Sequence, residues 1–289
     1  MRVLVTGATG NVGRHVAAGL VKAGVQVRAM TRDPARASLP GAEVVRGDLE
    51  KPETVPFDGV DRVFLFPEPS TAAAVVDRAK QAGVLRIVVL SSGAVTAGID
   101  STFHPPVEQA VEQSGLEWTH VRPGEFAANK IAVWGGSIRA ERVVRDFNPD
   151  SAWLPVHEQD VADVALKVLL EDGHHGKAYD INGPELLSLR DQVKAIGDAL
   201  GEEVRFEAVS AVRAREIYRE LGGFAAENAD FLLGFVDYNG NPADPDKIAE
   251  LWADFDPSQL GPMPTAEAVT GHPPRTFAQW ARDRVDDFR

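Results

Sequence analysis

The sequence predicts a doubly wound α/β fold built on a parallel sheet, with a smaller, mostly helical C-terminal portion partly interleaved with it. Three observations carry this expectation. The chain begins with a strand, a glycine turn, a helix and a second strand in immediate succession. Short apolar runs then alternate with helical runs through the first half. After Pro123 that rhythm gives way to helices separated by Pro- and Gly-rich loops, with one further strand run at Lys177–Ile181.

The first strand, Arg2–Thr6, runs directly into Gly7-Ala8-Thr9-Gly10-Asn11-Val12-Gly13 and a helical run over Val12–Lys22. The G-x-x-G-x-x-G spacing brings backbone amides close to a diphosphate, and the following helix offers its positive N-terminal end to the same charge. A second strand at Gln26–Thr31 arrives where a dinucleotide-binding unit requires it. Strands are expected next at Glu43–Arg46, Arg62–Phe66, Arg86–Ser91 and Glu117–Arg122, with helices at Ala72–Ala82 and Val107–Ser114. Nearly every position in these strands is apolar, as expected where helices cover both faces of a parallel sheet. Later helices are expected at Glu125–Val133, Glu158–Leu170, Arg190–Leu200, Ala211–Leu221, Ala225–Phe235 and Phe277–Asp287. The expected division is a nucleotide-binding core over residues 1–155 and a substrate-capping portion over 156–289.

Composition narrows the function classes. A hydrophobic content of 44% over 289 residues is ordinary for a soluble globular enzyme. The formal net charge of −13 repels phosphate backbones, and no basic helix or tail reverses it locally, so direct nucleic-acid binding is not expected. Apolar runs such as Val84–Leu90 are strand-length, and no basic leader precedes a long apolar stretch, so neither a membrane span nor secretion is expected. The absence of cysteine excludes disulfides, a thiolate nucleophile and Cys-based zinc sites, and fits a cytoplasmic location. His174-His175 has no third ligand at metal spacing and reads as exposed loop. The expected partner is a small molecule, and no motif fixes an oligomeric state.

Several segments resemble the NmrA-like group of atypical short-chain dehydrogenases/reductases. They are Gly7 to Gly13, Thr31-Arg32-Asp33-Pro34, Gly47-Asp48-Leu49 and Val121-Arg122-Pro123-Gly124. Towards the C-terminus they are His157 to Ala165, Gly183-Pro184-Glu185 with Leu187-Ser188, and Pro274 to Trp280. The resemblance covers nearly the whole chain and implies a Rossmann-type, NAD(P)-binding core. It spans reductases and redox sensors, so it does not by itself fix an activity.

Cofactor choice rests on the end of the second strand, where a carboxylate suits the ribose of NAD and a cation suits the extra phosphate of NADP. Arg32 stands there, with Arg36 one turn on, and favours NADP(H), with NAD(H) as the alternative because Asp33 follows immediately. The resemblance implies that Asp48 and Leu49 edge the adenine, that Phe66 and Pro67 flank the ribose and diphosphate, and that Ser91, Ser92 and Pro123 lie by the nicotinamide.

The superfamily's Tyr-x-x-x-Lys pair, in which Tyr gives a proton to the reduced carbonyl, is missing. Alignment on Gln113-Ser114-Gly115 puts His104 and Glu108 in those places, with Pro105 and Pro106 between. His104 is the candidate proton shuttle, and Glu108, four residues on, is the candidate partner that fixes its tautomer. Alternatively, His104 caps a helix and Glu108 complements its positive end. Glu125 and His272 are further candidates near the same site.

A quinone needs little acid help, because hydride addition leaves an aromatic phenolate that spreads its charge. The expectation is therefore reduction of a quinone-like or polycyclic aromatic acceptor. Phe103, Phe126, Trp134 and Trp153 would supply a flat apolar pocket. A family precedent in aromatic polyketide tailoring points the same way, and a reduced polycyclic quinone can react with oxygen, so the net outcome could be an apparent hydroxylation. The competing class is a non-catalytic NADP(H) sensor acting through a protein partner, with the helices from Ala211 to Phe235 as its surface. Sugar epimerisation or dehydration normally needs Tyr and Lys and ranks last.

Overall fold

The computed structural model describes residues 1–253 and 263–289. In chain order the first stretch holds β1 (Arg2–Val5), α1 (Gly13–Lys22), β2 (Gln26–Thr31), β3 (Glu43–Arg46), β4 (Arg62–Leu65), α2 (Ala72–Gln81), β5 (Arg86–Leu90), α3 (Gly93–Thr96), α4 (Pro105–Glu112) and β6 (Glu117–Pro123). Next come α5 (Asn129–Glu141), β7 (Val143–Asp146), β8 (Ala152–Trp153), α6 (Glu158–Leu170), β9 (Lys177–Ile181), β10 (Leu187–Ser188), α7 (Leu189–Leu200) and β11 (Arg205–Ala208). The remainder is helical: α8 (Ala211–Leu221), α9 (Gly223–Glu227), α10 (Ala229–Leu232), α11 (Pro245–Ala253), α12 (Glu267–Thr270) and α13 (Phe277–Asp283).

The chain divides into two compact units. The first comprises Met1–Pro123, Glu158–Ile181 and Ala266–Pro273; the second comprises Gly124–His157, Asn182–Thr265 and Pro274–Arg289. In place of the boundary expected at residue 155, Gly124–His157 belongs to the second unit and Glu158–Ile181 with Ala266–Pro273 to the first. The reason is pairing and packing: β9 adds to β6 in register, with Pro123 opposite Ile181, and α6 packs on α1 and on β4, β5 and β6.

The first unit is built on a seven-stranded sheet in the order β3-β2-β1-β4-β5-β6-β9, parallel at every pairing. Strand order reverses between β1 and β4, so the loops leaving those strands open a crevice at the C-terminal edge of the sheet. Helix α1 packs on α6, and α2 packs on α4. Leu4, Val63, Leu65, Ile87 and Val89 join Val75, Val76, Val107 and Val111 in one core, while Val3, Val5, Phe64 and Val88 are equally buried. Burial on both faces explains the unbroken apolar strands.

The second unit has its own core around Trp134, Ile138, Ile196, Phe277, Trp280 and Phe288. It contains a parallel pair, β7 with β11, and an antiparallel pair, β8 with β10. The expected helix at Glu125–Val133 starts later, at Asn129. Before it, Phe126 forms a parallel bridge with Val156, the Val156 amide donating to the Glu125 carbonyl at 2.7 Å and the Ala127 amide to the Val156 carbonyl at 3.0 Å, and a turn at Ala127–Ala128 leads into the helix. The expected helix over Ala225–Phe235 is broken into α9 and α10 at Asn228, whose Nδ2 donates back to the Phe224 carbonyl. Among the described residues no helix is long and apolar enough to cross a membrane.

Candidate functional site

The glycine turn closes because each glycine meets a neighbour that a side chain would strike. Gly7 has φ +57° and lies against the Phe66 ring. The Gly10 amide donates to the Gly7 carbonyl at 2.9 Å. Gly13 opens α1 so near the turn that a Cβ would fall 2.2 Å from the Gly7 oxygen. Thr9, Gly10 and Asn11 are exposed, while Val12 and Gly13 are buried. Helix α1 starts with no side-chain cap and no acid of its own in its first turn, which leaves its first amides for another partner. These features fit a dinucleotide diphosphate.

The strand ends beside the turn carry the other residues expected to meet a nucleotide. Arg32 and Arg36 follow β2, are exposed, and pair with no carboxylate among the described residues; Asp33 beside them engages neither. After β3, Gly47 allows a close approach to Met30, where a Cβ would lie 2.5 Å from the sulfur. Asp48 is half-buried and accepts the Glu50 amide at 3.2 Å, while Leu49 is buried and its carbonyl accepts the Thr71 hydroxyl at 2.7 Å. After β4, the buried Thr6 hydroxyl donates to the Phe64 carbonyl and accepts the Phe66 amide. That bond turns Phe66 outward, 46% exposed, while Pro67 is buried.

At the ends of β5 and β6 the polar residues form one connected network. The Ser91 amide donates to the Val121 carbonyl, and its hydroxyl donates to Glu108 Oε1 at 2.6 Å. Ser92 caps α3 by accepting the Ala94 amide. Pro123 is buried as the last residue of β6. Glu108 receives both arms of Arg122, Nε to Oε1 at 2.9 Å and Nη2 to Oε2 at 2.6 Å. Arg122 Nη1 donates to the Thr96 hydroxyl, which donates to Asp180 at 2.7 Å. Burial alone would raise the Glu108 carboxyl, but its bonds from Arg122 and Ser91 hold it below the usual range. In turn, Glu108 holds Arg122 more firmly charged.

This placement corrects the expected pairing of His104 with Glu108. Glu108 lies on the buried side of α4, under the guanidinium carried by β6, and both its oxygens are taken there. The carboxylate that reaches His104 is Asp100, four residues before it instead of four after, at 2.6 Å from Nδ1. Asp100 is fully buried and His104 is 15% exposed at the side chain. Asp100 Oδ1 accepts the amides of Thr102 and Phe103, and Oδ2 accepts the amide of His104. Burial pushes the Asp100 carboxyl up, yet the Phe103 amide, the His104 ring and the remaining amides bring it below its ordinary value. His104 is the N-cap residue of α4, whose first two positions are Pro105 and Pro106. Asp100 was readable in principle, since an aspartate followed by Ser101-Thr102 is a turn former that binds amides two and three residues on.

The other sequence candidates are distributed differently. Phe103 is 43% exposed, with its ring at right angles to that of His104, centroids 4.9 Å apart. Trp134, expected in an apolar pocket, is instead 1% exposed in the second unit's core, its indole donating to Asp146. Trp153 and Phe126 also belong to the second unit; Trp153 is partly exposed and Phe126 half-buried. Glu125 is ion-paired with buried Lys130 at 2.6 Å. His272 is exposed beyond α12. His174 and His175 pair with Tyr179 and the Trp118 amide, at the edge where β6 and β9 begin, opposite the glycine turn. Glu108, Glu112 and His120 bring ligand atoms within 4.8 Å of one another, but Arg122 already occupies Glu108 with the charge a metal would bring.

Comparison with known proteins agrees with this geometry. The family described as NAD(P)H-binding matches residues 7–172, more than half of the chain. The chain is 35% identical to a (4-alkanoyl-5-oxo-2,5-dihydrofuran-3-yl)methyl phosphate reductase of Streptomyces griseus, covering 99% of both. It is 31% identical to an NAD(P)H azoreductase of Xenophilus azovorans, again over 99% of both. Among solved structures it is similar to an NADPH-dependent quinone oxidoreductase of Escherichia coli, with TM-score 0.73, 25% identity, and coverage of 97% of this chain and 98% of the other.

Proposed function

The chain belongs to the NAD(P)H-binding family, as an NAD(P)H-dependent oxidoreductase of the NmrA-like, atypical short-chain dehydrogenase/reductase type, and we propose that it reduces a quinone-like or polycyclic aromatic acceptor with NADPH. The observation that carries the reading is the replacement of Tyr and Lys by His104 and a neutralised Glu108. The buried Glu108–Arg122 pair offers no mobile proton, and His104 is the proton-exchanging side chain of α4 at the edge of the proposed nucleotide site.

Gly7, Gly10 and Gly13 with the start of α1 hold the diphosphate, and Thr9, Asn11 and Val12 line the turn. Arg32 grips the additional phosphate of NADP(H), Asp48 and Leu49 border the adenine, Phe66 and Pro67 flank the ribose, and Ser91, Ser92 and Pro123 border the nicotinamide. Bound NADPH supplies a hydride, which carries both electrons of the reduction. The acceptor then holds a negative charge on oxygen, spread over its ring. His104 supplies the second hydrogen as a proton from its imidazolium, forming the O–H bond and returning to neutral imidazole, which water reprotonates. An isolated ketone would leave a localised alkoxide needing a stronger array of donors, so conjugated acceptors are preferred. The names of the relatives support this, since furanone, azo and quinone groups all place a charge-delocalising system next to the reduced atom. A reduced polycyclic ring reoxidised by air would appear as oxygenation, which suits a role in aromatic polyketide tailoring.

The test follows NADPH oxidation with a panel of polycyclic quinones under nitrogen and under air. Quinone-dependent oxidation is expected in both atmospheres. His104→Ala is expected to lower kcat by about 100-fold, the usual contribution of general acid catalysis. Tight NADPH binding without oxidation by any acceptor would defeat the reading.

A further inference from the structure

We propose that Asp100 is the positioning residue of His104, fixing its tautomer so that Nε2 alone exchanges the proton with the acceptor. The proposal rests on the reading of His104 as proton donor.

The Asp100 carboxylate makes four hydrogen-bond contacts. Oδ1 of Asp100 accepts from Thr102 at 3.0 Å and from Phe103 at 2.9 Å; Oδ2 accepts from the His104 amide at 3.1 Å. The fourth contact is His104 Nδ1, at 2.6 Å from Oδ2. An ionised carboxylate can only accept, so Nδ1 must carry the hydrogen in that contact. Nε2 is left with its lone pair in the neutral ring and becomes the donor in the imidazolium. No described residue binds Nε2.

The loop fixes this arrangement from both sides. Three amides within four residues lock the Asp100 carboxylate in place, and it is wholly buried, so the anion cannot turn away to water. Pro105 and Pro106 set the first turn of α4 directly after the imidazole. The edge contact with Phe103 borders the ring itself. When Nε2–H transfers its proton, the N–H bond breaks, an O–H bond forms on the acceptor, and the ring relaxes to the Nδ1–H form. Asp100 already accepts from that form, so no second proton need move. The same logic governs other carboxylate–histidine pairs, where the acid orients the ring without itself taking the proton.

Long-range 1H–15N NMR of histidine side chains reads the tautomer without cofactor or substrate. Of the seven histidines, His104 is identified by the signal missing from His104→Gln. The expected result is Nδ1–H in the neutral wild-type ring. In Asp100→Asn, the amide oxygen is claimed by Thr102 and Phe103, so the NH2 group faces Nδ1 and the ring is expected to convert to Nε2–H. Asp100→Ser keeps one oxygen for the loop amides but cannot reach Nδ1, and is expected to lose the Nδ1–H preference. Both variants should lose kcat by about 100-fold, with KM for NADPH changed by less than about twofold.

A wild-type Nε2–H tautomer would overturn the proposal even if neither variant folds. So would an unchanged tautomer in the folded variants, or a changed tautomer with undiminished kcat. Full turnover by His104→Gln would instead remove the donor reading on which the proposal rests, a result obtained from a different protein and a different measurement.

Discussion

Arg32 is a single guanidinium whose value lies in what it does not touch. Among the described residues no acid pairs with it, although Asp33 is adjacent. A phosphate therefore need not displace an existing partner. Loss of one charge-assisted, two-pronged contact costs about 1.5–3 kcal/mol, or roughly 10- to 100-fold in affinity. Arg32→Ala is accordingly expected to weaken NADPH by that factor while leaving NADH nearly unaffected, as measured by fluorescence titration. Equal losses for both nucleotides would take Arg32 out of the phosphate site. At this scale the sequence was partly legible. The place of Arg32 at the end of β2 could be read because the first strands follow a fixed order, whereas the pairing of His104 could not. Helical spacing places Glu108 one turn from His104, but it does not reveal that Arg122 comes from β6 to claim it. Asp100 depended on a three-residue turn that no periodicity reports.

Helix α1 is held by two glycines with unlike neighbours. At Gly13 a Cβ would meet the Gly7 carbonyl, which is backbone, at 2.2 Å. At Gly19 it would meet Leu166 Cδ1 on α6 at 2.3 Å, the free end of a flexible side chain. Gly13→Ala therefore must displace the start of the helix and the turn together. It is expected to abolish measurable NADPH binding and to destabilise the fold by about 1–3 kcal/mol, as overpacking does. Gly19→Ala is expected to cost less and to retain binding, because Leu166 can change rotamer. Thermal melts with and without NADPH compare the two; retention of binding by Gly13→Ala alone would contradict the argument. Elements were the most legible scale. Strands β1, β4 and β5 could be read because burial on both faces writes itself as continuous Val, Ile, Leu and Phe, whereas β3 and β9, at the sheet's edges, carry Glu, Lys and Asp and were legible from their place in the strand–helix order. The break at Asn228 and the short strands β7, β8, β10 and β11 could not, since each is decided by a few backbone bonds instead of a repeating pattern.

Across the whole molecule, the two units carry buried acids of opposite sign in their response to pH. Asp100 and Glu108 in the first unit are both held below their ordinary values. Groups with depressed folded values contribute stability that is present above the unfolded carboxylate value of about 4 and is lost as pH falls through the depressed ones. Asp146 in the second unit is raised by burial despite bonds from Tyr218, Trp134 and the Phe147 amide. Its contribution is full below the unfolded value and is lost as pH rises through the raised one. Acidification should therefore loosen the first unit while relieving the second. Hydrogen exchange at stepped pH is expected to show β5, β6 and α4 losing protection before β7 and α8; the reverse order would refute the assignment. The allegiance of residues 124–157 to the second unit was not legible, because composition barely changes at Pro123 and the segment is held by the pairing of β7 with β11 and the packing of α5 in the second core.

The interleaving also has a consequence for synthesis. The chain passes between its units at Pro123–Gly124, His157–Glu158, Ile181–Asn182, Thr265–Ala266 and Pro273–Pro274. On the ribosome, β6 emerges with one edge open, and its partner β9 follows only after the whole of α5 to α6 has been made. An open edge of this kind is a template for pairing with other chains. Phe277, Trp280 and Phe288 are still later, yet they occupy the centre of the second core. Neither unit can finish folding vectorially, so the nascent protein must stay soluble with both cores incomplete. The acidic excess of the sequence, 43 Asp and Glu against 30 Lys and Arg, is suited to that interval.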